Sequence, residues 1–387
     1  MPDNFTEITS QSWLGRIGGS IKGLLFGIVM VPISIVVLFW NEGRAVTTAN
    51  SLKEGAASVI SVPADSVSPT NERKLIHLSG EVLAGEVIRD PVFSISATAL
   101  RIARQPEMYQ WKETRSSESK KKLGGGEDTV TRYSYDKTWS AKPIDSSAFK
   151  HPEDHTNPGA MRVPAATTLS SKATLGAFKV PGEILAKMKG DEPLMPTQEC
   201  LTNLPPDWKA NAKLSGNGVY LGTDPKAPEV GDVLVTFKVL KPSTFSILAQ
   251  QTGDSLAPSP THAGREIERV ESGVMSAALM FQHAQDENRI LTWALRVGGF
   301  VLMAIGFAVM LNPLRVFADV VPFIGSIVGF GTGLLATILA FATSIFIIAI
   351  AWLAARPLLS VGLFAVAIGA LIYGLLRVRG QRRPAAV

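Results

Sequence analysis

The fold class predicted from the sequence is a membrane protein with four α-helical transmembrane spans. A β-rich α+β extracytoplasmic domain lies between spans 1 and 2. Three observations predict it. No residue from Val320 to Ala355 is charged, and after Arg356-Pro357 a second uncharged run reaches Leu376. Near the start, Gly23 to Trp40 is also free of charge. Between residues 41 and 290, by contrast, 29 Lys+Arg stand against 30 Asp+Glu, a near-neutral balance suited to a folded domain. About 20 apolar residues rising 1.5 Å each cross a hydrocarbon core of about 30 Å, so each uncharged run is long enough to span.

Taken in order, residues 1–22 form a polar cytoplasmic N-terminus and 23–40 the first span. A secretory signal peptide is the alternative for 23–40. Its apolar core would be unusually long and no small-x-small cleavage site follows Trp40, so the segment reads as an uncleaved anchor. Residues 41–290 form the extracytoplasmic domain. Residues 291–376 form a membrane block with spans at about 295–313, 332–354 and 358–376, and 377–387 is a basic cytoplasmic tail. The run after Val320 exceeds one span and falls short of two. An interfacial piece broken by Pro322 and Gly325 is therefore expected ahead of the span at 332–354. The net charge of +5 does not describe a nucleic-acid binder, because the surplus sits at membrane edges: Arg16, Lys22, Arg315, Arg377, Arg379, Arg382 and Arg383. Such a distribution marks cytoplasmic segments, and a basic tail of this kind attracts anionic lipid. Trp40, Trp293 and Trp352 then share the outer interface, where indole rings concentrate.

Within the domain, Thr47–Ala57 reads as helix and Leu75–Leu78 and Val92–Leu100 as strands. Met108–Trp111 and Tyr133–Tyr135 are strands that place aromatic residues on alternate positions, with Tyr133, Tyr135 and Trp139 on one face. Ser116–Asp128, with its Lys and Gly triplets, reads as a long mobile hairpin tip. A short helix is expected over Pro181–Lys189, strands over Val219–Gly222 and Val233–Val239, and a neighbouring strand over Phe245–Gln251. A helix over Ser276–Arg289 is expected to continue into the membrane. The lone Cys200 can form no intramolecular disulfide, so the domain must rest on its core. Gly19, Gly23 and Gly27, and again Gly325, Gly329 and Gly333, recur every four residues and let helices approach closely, within the chain or between copies.

No residue pattern carries a catalytic assignment. There is no Gly-x-Ser-x-Gly elbow, and the glycine triplet 124–126 lacks the Lys-Ser/Thr of a phosphate loop. His151 and His155 flank Glu153 and Asp154, but a Pro-rich loop offers a poor frame for three or four metal ligands, so no metal or cofactor is assigned. Asp232 and Asp254 each follow a glycine beside a strand, as turn residues do. Ionisable side chains within the apolar runs would mark a transport path, and those runs hold none.

Several short motifs occur in a recognisable order. They are Asn41-Glu42-Gly43-Arg44-Ala45, Met108-Tyr109-Gln110-Trp111, Thr131-Arg132-Tyr133-Ser134-Tyr135, Asn157-Pro158 with Ala160-Met161, Pro228-Glu229-Val230-Gly231-Asp232, Gly253-Asp254, and Thr292-Trp293 with Leu295-Arg296. With the span layout, this ordered set resembles the transmembrane protein 43 family, also called LUMA, across nearly the whole chain. The resemblance implies four spans and one large lumenal domain in the endoplasmic reticulum and inner nuclear membrane. It further implies self-association, contact with emerin and lamins, and a role in membrane organisation. The insert at 120–126 and the arginine-rich tail depart from the family pattern. In a bacterium the domain would be periplasmic and the chain would sit in the inner membrane. Function is thus expected to be that of a self-associating membrane organiser with a non-cytoplasmic domain open to lipid or protein partners. The alternatives are a lipid-handling or hydrolytic domain at the outer leaflet, for which a pocket lined by His155, Glu229 and Asp232 would speak, and an oligomeric channel.

Overall fold

A computed structural model describes residues 3–355 of the 387-residue chain. The expected span at 358–376 and the basic tail lie outside the described residues. The main elements run β1 (Asp3–Gln11), α1 (Trp13–Ser58), β2 (Leu75–Leu83), β3 (Arg101–Lys121), β4 (Glu127–Ser140), α2 (Gly182–Lys187), β5 (Gly218–Leu221), β6 (Val233–Leu240), β7 (Ser243–Thr252), α3 (Ala277–Ala318) and α4 (Pro322–Ala355). They divide into two compact units. Among the described residues, a β-rich unit takes 3–9, 51–119 and 129–283, and a helical unit takes 10–50, 120–128 and 284–355.

The β-rich unit is built on two sheets. In the first, β1, β4, β3, β6 and β5 are neighbours in that order. The antiparallel register sets Phe237 opposite Arg104 and Val235 opposite Val219. Period-2 alternation turns Val233, Val235, Phe237 and Val239 inward, where they meet Phe93, Ile102, Met108 and Val219. The second sheet has β7 at its centre, paired with β2, so that Ile247 lies opposite Leu78. Its core gathers Ile76, Leu78, Leu175, Phe178, Phe245 and Ile247 under Ile184 and Leu185 of α2. Arg101 closes that helix. Its guanidinium donates to the carbonyls of Leu185, Ala186 and Met188 and pairs with Asp191 at 2.7 Å.

Several expectations are corrected here. Phe245–Gln251 is no neighbour of Val233–Val239. After Lys241-Pro242 the chain changes sheets, and β7 is buried along most of its length because it pairs on both sides. Only Ser96–Thr98 of Val92–Leu100 is strand. Asp90 accepts from the amides of Val92 and Phe93 at 3.0 and 2.8 Å and turns the chain there. The hairpin tip expected over 116–128 is mostly ladder, since β3 runs to Lys121 and β4 restarts at Glu127. The N-terminal segment, expected to be only a polar stretch, contributes β1, where Thr6 and Ile8 alternate with Phe5 and Glu7.

In the helical unit, α1, α3 and α4 are each long and apolar enough to cross a membrane. The first span and the expected helix at 47–57 are one helix of 46 residues, and 276–289 and its span merge into α3. Pro322 and Gly325 do not break α4. Proline opens the helix, where its missing N–H is no loss, and Gly325 donates to Val321 O at 3.0 Å. Two of the glycines, Gly23 and Gly27, lie against another helix of the same chain. A Cβ on Gly27 would stand 2.6 Å from Gly306 O of α3, and one on Gly23 3.2 Å from Val309, so α1 and α3 approach closely there. Gly325 faces Asp319 and Gly329 faces Arg315, while Gly19 meets only Gln11 and Gly333 meets nothing within 4 Å among the described residues.

Candidate functional site

Three constellations bring together most of the motif residues. The first lies in the helical unit where α1 faces α3. Asn288, Thr292 and Arg296 step by four along α3 and so share one face. Arg44 donates to Asn288 Oδ1 at 2.9 Å, Thr292 Oγ1 at 2.9 Å and Asn41 Oδ1 at 3.2 Å. Asn41, itself fully buried, donates to Thr292 O at 3.1 Å. One residue on, Glu42 is 1% exposed and accepts from Nε and Nη2 of Arg296, at 2.6 and 2.7 Å, and from the indole N–H of Trp352 at 2.8 Å. Arg296 also lies over the rings of Trp293 and Trp352. A carboxylate so buried is tolerable only with a cation held against it and its remaining lone pairs filled. A Cβ on Gly43 would meet nothing within 4 Å among the described residues.

The second constellation closes the opposite end of the same helices. Asp319, in the α3–α4 connection, has no exposed side-chain surface and pairs with Arg16 at 2.5 Å and Lys121 at 2.6 Å. Arg16 also reaches Glu127 at 3.1 Å and the carbonyl of Gly125. Burial pushes the Asp319 carboxyl up, but Lys121 and Arg16 outweigh it and hold the group below the usual carboxylate range. The β3–β4 turn packs here. Gly125, at φ +81°, lies against the Trp13 ring, and Trp13 Nε1 donates to Val316 O at 2.9 Å. Within the tip expected to be flexible, Gly125 instead permits a close docking that a side chain would block.

From Arg16 to Glu42 is 26 residues, about 39 Å of helix, enough to bracket a hydrocarbon core of about 30 Å between two polar collars. The turn at 122–126 sits beside Arg16, and strand β1, which precedes α1, pairs with β4.

The third constellation belongs to the β-rich unit. Asn157 acts as a strand partner for Trp111, accepting from its N–H at 2.7 Å and donating to its carbonyl at 2.9 Å. His155 stacks on Tyr135 with centroids 3.8 Å apart, meets Trp111 edge-on and bonds through Nδ1 to His151 O. Burial, then the hydrogen bond to Glu113, lifts the Tyr135 phenol to about 12. Tyr109 pairs with the motif turn: Gly231 N donates to Tyr109 O at 2.9 Å and Tyr109 N to Asp232 O at 2.8 Å. The Asp232 carboxylate accepts from Glu229 N and from Tyr220 Oη, whose own ionisation burial suppresses. Gly231, at φ +100°, lies beside Pro158. A cleft of about 610 Å³ adjoins this cradle, lined by residues such as Ile144, Ser146, Pro152, Asn157 and Pro158. None of His155, Glu229 and Asp232 is among the residues lining this cleft. Tyr133 and Lys150 hold Glu7 of β1 at 3.2 and 2.8 Å, Arg132 faces outward, and Gly253-Asp254 turns β7 toward Lys179.

Sequence reasoning had not paired Glu42 with Arg296, nor given Asp319 any role. The signals were present: a lone acid in the Leu311–Val320 connection, and polar residues stepping by four at the edge of an apolar run.

Comparison with known proteins places the chain in a family. A family model described as Transmembrane protein 43 matches residues 108–357. Transmembrane protein 43 of Rattus norvegicus is 31% identical over 384 residues, covering 96% of this chain and 94% of the relative. That of Homo sapiens is 29% identical, covering 97% and 94%. The Drosophila melanogaster homolog is 28% identical, covering 87% and 89%. No solved structure matches.

Proposed function

Because this chain belongs to the transmembrane protein 43 family, we propose that it is an integral membrane organiser, a scaffold that self-associates and presents its β-rich unit to lipid or protein partners. The observation that carries this reading is how the motif residues are employed. Asn41, Glu42, Arg44, Thr292 and Arg296 bond one another across two helices, and Tyr109, Trp111, Asn157, Gly231 and Asp232 lock loops onto strands. These are constraints on shape, which a scaffold requires. Gly331 and Gly333, open on α4 among the described residues, would suit close approach by a further helix.

The decisive experiment is native mass spectrometry of the full chain in mild detergent, paired with crosslinking in native membranes. Self-association predicts oligomers that Gly333→Leu weakens and that recur as crosslinked homo-oligomers in the membrane. Monomers throughout, unchanged by Gly333→Leu and without crosslinks, would remove self-association from the reading. Most of the β-rich unit is proposed to be non-cytoplasmic, on the strength of the Lys/Arg and Trp distribution.

A further inference from the structure

Beside the collar at Arg16 lies a cleft of about 340 Å³ whose lining includes Arg16, Gly19, Gly23, Lys121, Glu127 and Arg315. Ser20 and Asn312 add neutral polar groups to it. Its charge is unbalanced. Asp319 and Glu127 engage Arg16 and Lys121, whereas no described carboxylate pairs with Arg315, which is exposed on the last turn of α3. Gly19 and Gly23 present no side chain on the α1 side of the cleft. Below it begin the apolar faces of α1 and α3, where Leu25, Phe26, Ile28 and Ile305 stand exposed.

From this arrangement we infer that the cleft is a site for a phosphate-ester anion, of the kind an anionic phospholipid carries at the level where its acyl chains meet apolar helix. Arg315 supplies a charge that no described carboxylate meets and a planar set of donors matched to phosphate oxygens. Arg16 and Lys121, already committed to Asp319, hold the turn and α1 in place around the anion. Ser20 and Asn312 bring further polar groups within the same cleft. The apolar surface beneath takes the chains, which distinguishes this place from a merely basic surface. The inference is separate from self-association and from the basic tail, and it stands or falls without either.

The test uses the full chain in mild detergent, in a background with Arg377, Arg379, Arg382 and Arg383 changed to Gln to silence the tail. Native mass spectrometry counts retained phosphatidylglycerol against phosphatidylcholine, and thermal shift follows the same lipids and inorganic phosphate alone. Preferential retention of phosphatidylglycerol is expected. Arg315→Gln should lower it about fivefold, the effect of one basic residue at an anionic surface, and Arg315→Lys should recover most of it. Stabilisation by millimolar inorganic phosphate equal to that by phosphatidylglycerol would uphold the anion site but assign it to a soluble phosphate ester. Equal retention of both lipids by the parent chain, or unchanged selectivity in a folded Arg315→Gln protein, would overturn the inference. Should Arg315→Gln fail to fold, the headgroup preference of the parent chain and of Arg315→Lys carries the decision.

Discussion

The β-rich unit and the helical unit solve the same problem with opposite surfaces. In the first, Ile76, Phe93, Phe237 and Ile247 are fully or almost fully buried, and large apolar side chains stand exposed only at scattered positions such as Val87 and Met195. In the second, Leu25, Phe26, Val29, Phe330, Phe341 and Phe346 face outward, and the groups taken inside include Asn41, Glu42 and Asp319. Water expels apolar surface and lipid does not, so each unit turns outward what its solvent accepts. The lesson concerns polar residues. In the β-rich unit they chiefly fix turns, whereas in the helical unit they are the specific contacts, because apolar burial against lipid discriminates little between helix pairings.

The comparison can be broken most sharply by labelling. In a Cys200→Ser background, Leu123→Cys and Ser10→Cys are expected to react with a membrane-impermeant maleimide from the same side, since both adjoin the collar at Arg16. Labelling from opposite sides would separate the turn from that collar. Next in size are core changes. Phe237→Ala should cost about 3–5 kcal/mol, while Phe330→Ala, 77% exposed on α4, should cost little in thermal unfolding in detergent. Arg296→Leu should cost about 3–5 kcal/mol by stranding Glu42. The double variant Glu42→Leu/Arg296→Leu should recover much of that, and a cycle showing no coupling would mean that the pair does not hold α1 to α3.

Smaller effects sharpen the picture. Gly125→Ala places a side chain at φ +81° against Trp13 and should cost about 1–2 kcal/mol, read as a shift in Trp13 fluorescence. For Asp319 the folded value lies below the ordinary 3.8, so its stabilisation is complete above that pH and drains away as pH falls through the folded value. Asp319→Asn should abolish the acid step in a pH series of melting temperatures. His77 gives the smallest effect. Burial lowers it from 6.5, partly countered by its bond to Met275 O, so stability present above pH 6.5 is lost as pH falls toward the folded value. His77→Gln should flatten that slope.

The apolar helices, the strands at Val233–Val239 and Tyr133–Tyr135, the short helix after Pro181 and the family itself were all legible in the sequence. Each rests on local periodicity, on composition or on ordered short motifs. What was not legible is pairing between distant segments. Nothing local in Phe245–Gln251 says which sheet it joins, and nothing in Lys121 points to Asp319, almost two hundred residues later. The three glycines at 124–126 read as freedom because a sequence shows the missing side chains but not the Trp13 ring packed against Gly125. Span and strand were settled by the order of residues along the chain. Sheet partners, the two collars and the docked turn were decided only by tertiary contact, because a buried charge is defined by what surrounds it in space.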